Sequence, residues 1–201
     1  MKQLLHVGPG YSTKKDIIKF FNNEDWQETR VDINRDVNPD ILGGMQDLSN
    51  VKKNYYDAIY SSHSIEHVYQ YEVNGVLREF YKVLNDDGLA VITCPELKSI
   101  CKLILEDKIL DTAYVSEAGP ITPIDILYGH RDSIKKGNEF MAHKNGFTLK
   151  TLTKECHLAG FKSVAGIERP SHFDIWIIAQ KNKVDKQEFT EKVKKILNFN
   201  F

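Results

Sequence analysis

Residues 4–10, Leu4-Leu5-His6-Val7-Gly8-Pro9-Gly10, decide how the rest of the chain is interpreted. The apolar run is typical of a buried strand, and it ends abruptly in two glycines that flank a proline. Thr13 and Asp16 follow with the spacing of a capping box, which predicts a helix over residues 13–21 that ends at Asn22. A strand, a glycine turn and a helix start would place free backbone N–H groups where a ligand can approach closely.

An acidic residue stands where the next predicted strand ends. Asp32 follows Gly10 by 22 residues, within the sequence Val31-Asp32-Ile33. In a β-α-β unit, an acid at this position can accept hydrogen bonds from both hydroxyls of an adenosine ribose. Without Asp32, an ordinary strand-to-helix turn would be the better interpretation of the glycines. With it, the sequence favours a nucleoside site. Thr13 stands where a dinucleotide-binding sequence has a third glycine, which favours an uncharged adenosyl ligand over a nicotinamide or flavin dinucleotide.

The composition is that of an ordinary globular protein, with 41% hydrophobic and 27% charged residues among 201. This length predicts a single domain over residues 1–201, with or without an insertion. A net charge of −1 gives no reason to expect nucleic acid or an anionic membrane as partner. Cys94, Cys101 and Cys156 have no Cys-x-x-Cys spacing, so we expect free thiols in a reducing compartment. On the expectation that no ligand pair has His-x-x-x-His or Cys-x-x-Cys spacing, we predict no metal site. Neither a signal peptide nor a membrane-spanning run is evident, so we expect a cytoplasmic monomer or homodimer.

Apolar periodicity alternates between strand and helix along the chain. Strands are predicted at residues 28–32, 39–42, 56–61 and 89–93, and helices at 73–84, where Gly88 supplies the stop, and at 96–106. A helix capped by Thr148 and ended by Gly160 precedes two further strands, at 161–167 and 173–180, and a terminal helix begins at Asp185. The link between the last two strands is too short for a crossover helix, so they must be antiparallel. This order predicts a doubly wound α/β sheet.

One long segment, residues 107–145, lacks regular periodicity. It contains glycines and prolines among aromatic and charged residues, yet enough apolar side chains to favour an ordered insertion over disorder. We expect the insertion to cover the ligand-binding edge of the sheet. Arg131 could bind a carboxylate or phosphate through two hydrogen bonds, and His63, His130 or His143 could accept a proton near neutral pH. The alternative is a structural lid whose histidines cap turns.

Several motifs are similar to those of one known family. Val7-Gly8-Pro9-Gly10 resembles its first motif, Asp32 its ribose-binding acid, and Gln46-Asp47-Leu48 its adenine-contacting loop. The sequence from Tyr56 to His67 is similar to the pattern FDxVxxxxxxEH, and that from Leu77 to Gly88 to RVLKPGG, with Asp86-Asp87 where Pro-Gly is usual. At these residues the chain resembles the class I S-adenosylmethionine-dependent methyltransferases. The glycine motif is shorter than usual, and His6 replaces the acid often found before it.

The resemblance implies an α/β fold with a Rossmann-like, seven-stranded, mostly parallel sheet, an antiparallel last strand, helices on both faces and an insertion after strand five. It implies S-adenosylmethionine as cofactor. The cofactor-binding residues that it implies are Val7, Gly8, Pro9, Gly10, Asp32, Ile33, Gln46, Asp47, Leu48, Ser61, Ser62 and His63. Two positions have alternative interpretations, because Asp47 could cap a turn and Glu66-His67 could be a helix-start pair that hydrogen-bonds locally.

Three functions are compatible with this sequence. The first is transfer of a methyl group to an O, N or S atom of a small-molecule acceptor, with residues 107–145 as the lid of the acceptor pocket. His63, His130, His143 and Arg131 are the candidate catalytic residues. The second is a catalytically inactive, methyltransferase-like sensor or scaffold that binds the cofactor, which the shortened glycine motif suggests. The third and weakest is a nicotinamide-dependent oxidoreductase, which the missing third glycine opposes.

Overall fold

The computed structural model describes residues 1–116 and 118–198. Its strands are β1 (Lys2–Val7), β2 (Trp26–Asp32), β3 (Ile41–Leu42), β4 (Tyr56–Ser62), β5 (Leu84–Pro95), β6 (Tyr114–Ser116), β7 (Gly119–Ile121), β8 (Ser163–Arg169) and β9 (Asp174–Gln180). Its helices are α1 (Val73–Val83), α2 (Leu97–Leu105), α3 (Pro123–Tyr128), α4 (Arg131–Lys135), α5 (Leu149–Ala159) and α6 (Lys186–Leu197).

A seven-stranded sheet organises the fold, with the strand order β3-β2-β1-β4-β5-β9-β8. The first five strands in this order are parallel to one another. Strand β9 is antiparallel to both of its neighbours, β5 and β8. The short link of residues 170–173 between β8 and β9 explains the reversal, because antiparallel neighbours need no crossover helix. The predicted α/β fold class, with its antiparallel last strand, is confirmed.

Each face of the sheet carries its own apolar core. Helices α1 and α5 pack on one face, and α6 packs on the other together with Phe21 and Trp26. Successive residues of β4 alternate between the faces, so that Ile59 lies in the first core while Ala58 and Tyr60 lie in the second. This arrangement leaves the carboxyl ends of β1, β2 and β4 free to form a site.

The helix predicted over residues 13–21 is wrong: none of residues 8–25, all of which the structure describes, is helical. The cap itself forms, since Thr13 N and Oγ1 both lie 2.9 Å from Asp16 Oδ2. Tertiary contacts then override helix propensity. Phe21 is fully buried with its ring edge-on to Trp26, and Lys14 Nζ donates to the carbonyl oxygens of Asn23 and Trp26 at 3.0 and 2.6 Å.

The prediction of Gly88 as a helix stop is also wrong. Helix α1 ends at Val83 and passes directly into β5, so that Gly88 lies inside a strand. A Cβ at Gly88 would lie 2.9 Å from the Tyr56 carbonyl oxygen, where the register between β4 and β5 shifts. Gly88 is therefore needed for close approach of two strands. The predicted stop at Gly160 is confirmed, because α5 ends there with φ +121°.

The described residues of the insertion, 107–116 and 118–145, are ordered, as expected. It contains the β6–β7 pair, helices α3 and α4, and a 3-10 turn at Glu139–Met141. Ile121 and Ile126 of the insertion bury their side chains against Ile100 of α2 in a small separate core. Among the described residues, no helix has the length and apolar character needed to cross a membrane.

Candidate functional site

A cavity of about 310 Å³ opens at the carboxyl ends of β1, β2 and β4. In open α/β sheets this is where ligands bind. Five segments contribute its lining, which consists of Val7, Gly8, Gly10, Tyr11, Asp32, Ile33, Asn34, Val37, Gly43, Gly44, Met45, Gln46, His63, Ser64, His67, Val68, Asn138, Phe140, Met141 and Lys144. The last four belong to the insertion, which therefore covers part of the cavity.

The glycine turn after β1 adopts a backbone that only glycine takes without strain. Gly8 and Gly10 have φ values of +67° and +56°. A Cβ at Gly8 would lie 2.5 Å from Ser64 Oγ. That hydroxyl lies 3.1 Å from the Gly8 carbonyl oxygen and 3.0 Å from that of Ser62, so its proton ties the turn to the end of β4.

Asp32 fixes the same turn from the end of β2. Its carboxylate is only 7% exposed, and its two oxygens each accept a backbone N–H at 2.8 Å, from Gly10 and from Asn34. Arg30 Nη2 donates to the carbonyl oxygens of Gly10 and Val37 at 2.7 and 3.0 Å. Each Asp32 oxygen keeps a further lone pair, because an ionised carboxylate accepts about four hydrogen bonds.

The structure brings seven of the twelve implied cofactor residues to the cavity: Val7, Gly8, Gly10, Asp32, Ile33, Gln46 and His63. The lining, as far as the structure describes the chain, does not include Pro9, Asp47, Leu48, Ser61 or Ser62.

Of the side chains that stay outside the cavity, Asp47 and Ser62 have hydrogen-bond partners and Leu48 lies in the core. Asp47 Oδ1 accepts the Ser49 N–H at 2.9 Å, which is the turn cap that the sequence left open as an alternative. Leu48 is 1% exposed in the core, and Ser62 Oγ lies 2.8 Å from Thr93 Oγ1. Ser61 is fully buried. These side chains shape the cavity from behind.

Sequence reasoning did not select several residues that line the cavity: Tyr11, Asn34, Val37, Gly43, Gly44, Met45, Ser64, His67, Val68, Asn138, Phe140, Met141 and Lys144. Two signals pointed toward them. The glycine pair after β3 marks a close backbone approach, and residues 138–144 concentrate polar and aromatic side chains within the insertion.

His63 is the candidate catalytic residue that reaches the cavity. It is half exposed, has a left-handed φ of +49°, and places Nδ1 3.5 Å from Glu66 Oε1. Burial alone would lower the pKa of His63, but the neighbouring Glu66 carboxylate outweighs this effect and raises it above its ordinary value. Burial would likewise raise the pKa of Glu66, yet its contact with His63 lowers it.

His130 and Arg131 are not part of the cavity lining among the described residues. His130 Nδ1 lies 2.7 Å from Ser133 Oγ at the start of α4. This contact agrees with the alternative interpretation, in which the histidines of the insertion cap turns. Arg131 Nε donates to Asp125 Oδ1 at 2.7 Å. Burial would raise the pKa of Asp125, but hydrogen bonds from Arg131 and Thr122 lower it well below its usual range. The Arg131 guanidinium is therefore engaged by a carboxylate of the insertion itself.

His143 lies near Glu66 and His67, which follow β4. Its Nδ1 is 2.8 Å from the Ile126 carbonyl oxygen, and its ring stands edge-on to the His67 ring with centroids 4.8 Å apart. Burial lowers the pKa of His143. The Glu66 carbonyl oxygen accepts the N–H groups of Lys144 and Asn145, so the Glu66-His67 pair contacts the insertion as well as its local turn.

Residues 8–92 match the family model described as "Methyltransferase domain". A comparison with curated proteins finds no match. Among solved structures, the fold resembles that of a SAM-dependent methyltransferase from Archaeoglobus fulgidus, with 16% identity, a TM-score of 0.59, and coverage of 90% of this chain and 86% of that one. It also resembles a possible histamine N-methyltransferase from Thermotoga maritima, with 15% identity, a TM-score of 0.55, and coverage of 90% and 83%.

A third similar structure is the 1,6-didemethyltoxoflavin-N1-methyltransferase of Burkholderia thailandensis, which has 1,6-didemethyltoxoflavin and S-adenosylhomocysteine bound. It has 15% identity and a TM-score of 0.55, and the match covers 90% of this chain and 71% of that one. At sequence identities this low, the structural similarities show only that the folds are alike. The family match over residues 8–92 agrees with the resemblance to class I methyltransferases, and together these findings support the predicted cofactor, S-adenosylmethionine.

Proposed function

We propose that this protein transfers a methyl group from S-adenosylmethionine to an O, N or S atom of a small-molecule acceptor. One observation carries the proposal: a single cavity joins the Gly8–Gly10 turn, the buried Asp32 carboxylate and residues 138–144 of the insertion. Its volume of about 310 Å³ lies at the lower end of the range for small-molecule sites. The methyltransferase-domain match over residues 8–92 agrees with this assignment.

The residues at the ends of β1, β2 and β3 fit an adenosyl ligand. Asp32 has unused lone pairs for the two ribose hydroxyls, and Gly8 and Gly10 present backbone to the cavity. Ile33 and Val37 supply apolar surface for a base, and Gln46 supplies an amide that can donate and accept hydrogen bonds. When bound, S-adenosylmethionine supplies a methyl group activated by its sulfonium.

The residues near the end of β4 form the acceptor side. His63 faces the cavity from one wall, and Asn138, Phe140 and Met141 line it from the insertion. Aromatic and apolar side chains there would exclude water and hold the acceptor in line with the methyl group, and such positioning supplies much of the acceleration in a methyl transfer. His143 supports this wall through the His67 ring. In this proposal, residues 107–145 are the lid of the acceptor pocket.

Two experiments test the proposal in order. Titration calorimetry with S-adenosylhomocysteine should give one site per chain with micromolar affinity, because the product lacks only the transferred methyl group. Incubation with methyl-labelled cofactor and metabolite extracts should then yield a newly labelled small molecule. Absence of cofactor binding would refute the assignment of the cavity.

A second function, cofactor binding without catalysis in a sensor or scaffold, is favoured by one observation. No helix follows the glycine turn within residues 8–25, and the Gly10 N–H is already engaged by Asp32. Binding of S-adenosylhomocysteine without methyl consumption across a broad acceptor panel would support this function. Turnover of any acceptor would reject it.

We further propose that residues 1–201 act as one cytoplasmic domain, as a monomer or homodimer. The net charge of −1 supports the expectation that neither nucleic acid nor an anionic membrane is a partner. Size-exclusion chromatography with light scattering measures the oligomeric state, and repeating it with added DNA or anionic vesicles tests for binding to either. A stable complex with either additive would contradict this expectation.

A further inference from the structure

Glu66 is a buried carboxylate whose two oxygens have no hydrogen-bond partner among the described residues. Its side chain is 1% exposed. An isolated carboxylate in such surroundings costs several kcal/mol unless a positive group compensates it. His63 Nδ1 lies 3.5 Å from Oε1, which is beyond hydrogen-bond distance, and it leaves Oε2 without a partner. The arrangement calls for a further positive charge.

Two imidazoles approach this carboxylate from different parts of the chain. Glu66, His67 and His143 each offer one possible ligand atom, and these three atoms lie within 4.8 Å of one another. Because bonds from a metal to nitrogen or oxygen are about 2.0–2.2 Å long, two ligand atoms of a tetrahedral ion lie about 3.4 Å apart. The side chains therefore need to approach one another by up to about 1.4 Å to bind one ion.

The hydrogen bonds of both histidines suit metal binding. His67 Nδ1 lies 3.1 Å from the Ala142 carbonyl oxygen, and His143 Nδ1 lies 2.8 Å from the Ile126 carbonyl oxygen. A carbonyl oxygen can only accept, so in each ring Nδ1 carries the proton and Nε2 keeps its lone pair. Metal-binding histidines are usually held in this way by a carbonyl oxygen on the opposite nitrogen.

We propose that Glu66, His67 and His143 bind a divalent first-row transition-metal ion of the Zn²⁺ or Fe²⁺ type. Two neutral imidazoles and one carboxylate are a donor set that these ions prefer, and three protein ligands leave coordination positions open. The ion replaces the missing partner of the Glu66 carboxylate. His67 also lines the cavity, so the ion lies in the cavity wall, next to the insertion.

This site departs from the sequence-based prediction of no metal. That prediction assumed that no pair of residues has His-x-x-x-His or Cys-x-x-Cys spacing, which is wrong for His63 and His67. The local backbone separates them, because His63 has φ +49° and precedes the 3-10 turn Ile65–His67. The second imidazole of the site comes instead from His143, in the insertion.

Calorimetric titration of the chelator-treated full chain with ZnCl₂ tests the proposal. We expect one ion per chain with micromolar or tighter affinity. Glu66→Gln, which removes the charge but keeps the shape, and His143→Ala should each weaken binding about 100-fold or more. His157→Ala is the matched control and should bind as the wild type does, because its Nδ1 also faces a carbonyl oxygen, that of Phe161, but lies away from the cluster.

X-ray absorption on the zinc-loaded wild-type protein tests the ligands without any variant. It should show two imidazole nitrogens at about 2.0–2.1 Å and no sulfur. Absence of stoichiometric binding, a sulfur ligand, or unchanged affinity in variants whose circular dichroism is native would each overturn the proposal. These titrations contain neither cofactor nor acceptor, so their outcome does not depend on the proposed methyl transfer.

Discussion

Gly129, at the end of α3, allows the insertion to close against the cavity. Its φ is +94°, and a Cβ there would lie 1.8 Å from the Met141 carbonyl oxygen. Real Cβ atoms essentially never approach a neighbour closer than 3.0 Å, so Gly129→Ala must displace that carbonyl by about 1.2 Å or more. Phe140 and Met141 line the cavity, and the displacement would therefore reach the binding site.

Gly137→Ala provides the matched control. Gly137 has nearly the same φ, +93°, but an added Cβ there meets no atom within 4 Å. The control substitution therefore has the backbone strain alone, about 1–2 kcal/mol. In a chain of this size that corresponds to a fall in Tm of about 2–8 °C. Gly129→Ala has the strain of φ +94° and ψ 160°, a region essentially restricted to glycine, and the displaced carbonyl as well, so its Tm should fall by about 4 °C more.

Scanning calorimetry and titration with S-adenosylhomocysteine measure both effects. Gly137→Ala should leave the affinity within about twofold, whereas Gly129→Ala should weaken it about tenfold, which is a loss of about 1.4 kcal/mol. If the two variants showed the same Tm and the same affinity, the contact between Gly129 and Met141 would not hold the insertion in place.

Three further measurements probe other parts of the molecule. Asp32→Ala should weaken binding of S-adenosylhomocysteine by about 2–4 kcal/mol, roughly 30- to 1,000-fold, because two ribose donors lose their acceptor; an affinity within threefold of the wild type in a folded variant would contradict this role. Ellman's reagent at pH 8 should label the exposed Cys101 and spare Cys156 until unfolding, since burial raises the pKa of the Cys156 thiol to about 12; labelling of both thiols in the native protein would be unexpected. The pKa of Asp125 is lowered in the folded state, so ionised Asp125 stabilises the fold at pH values above its unfolded pKa of about 3.9. This stabilisation is lost as the pH falls toward the pKa of Asp125 in the folded protein. Asp125→Asn should therefore lower the unfolding free energy by about 1–3 kcal/mol at pH 7, with a difference that shrinks below about pH 4; a constant difference would argue against the pair with Arg131.

The features that the sequence predicted correctly depend on local signals. The apolar runs located the main strands, the short predicted link of residues 168–172 implied an antiparallel pair, and Thr148 and Gly160 marked the ends of α5. Asp32 could be selected because it ends the strand that follows the glycine turn, and that strand, β2, is the parallel neighbour of β1.

The features that the sequence did not predict depend on contacts between distant segments. The cap at Thr13 formed, but Phe21 entered the core beside Trp26 and Tyr60 and drew the chain out of a helix. The polar character of Arg131 predicted a ligand-binding group, whereas Asp125, six residues earlier, engages its guanidinium. The local sequence pattern reveals neither contact, because it does not show which buried ring Phe21 meets or which carboxylate binds Arg131.

The loss of the helix after the glycine turn changes how the site can hold an anionic group. A helix start would offer free N–H groups and a partial positive charge near the turn. Here the Gly10 N–H donates to Asp32, and Arg30 donates to the Gly10 carbonyl oxygen, so side chains hold both backbone groups of this residue. The cavity lining also includes Lys144 of the insertion, a positively charged residue whose backbone N–H donates to the Glu66 carbonyl oxygen. If S-adenosylmethionine binds in this cavity as proposed, we expect the insertion to contribute to recognition of its carboxylate.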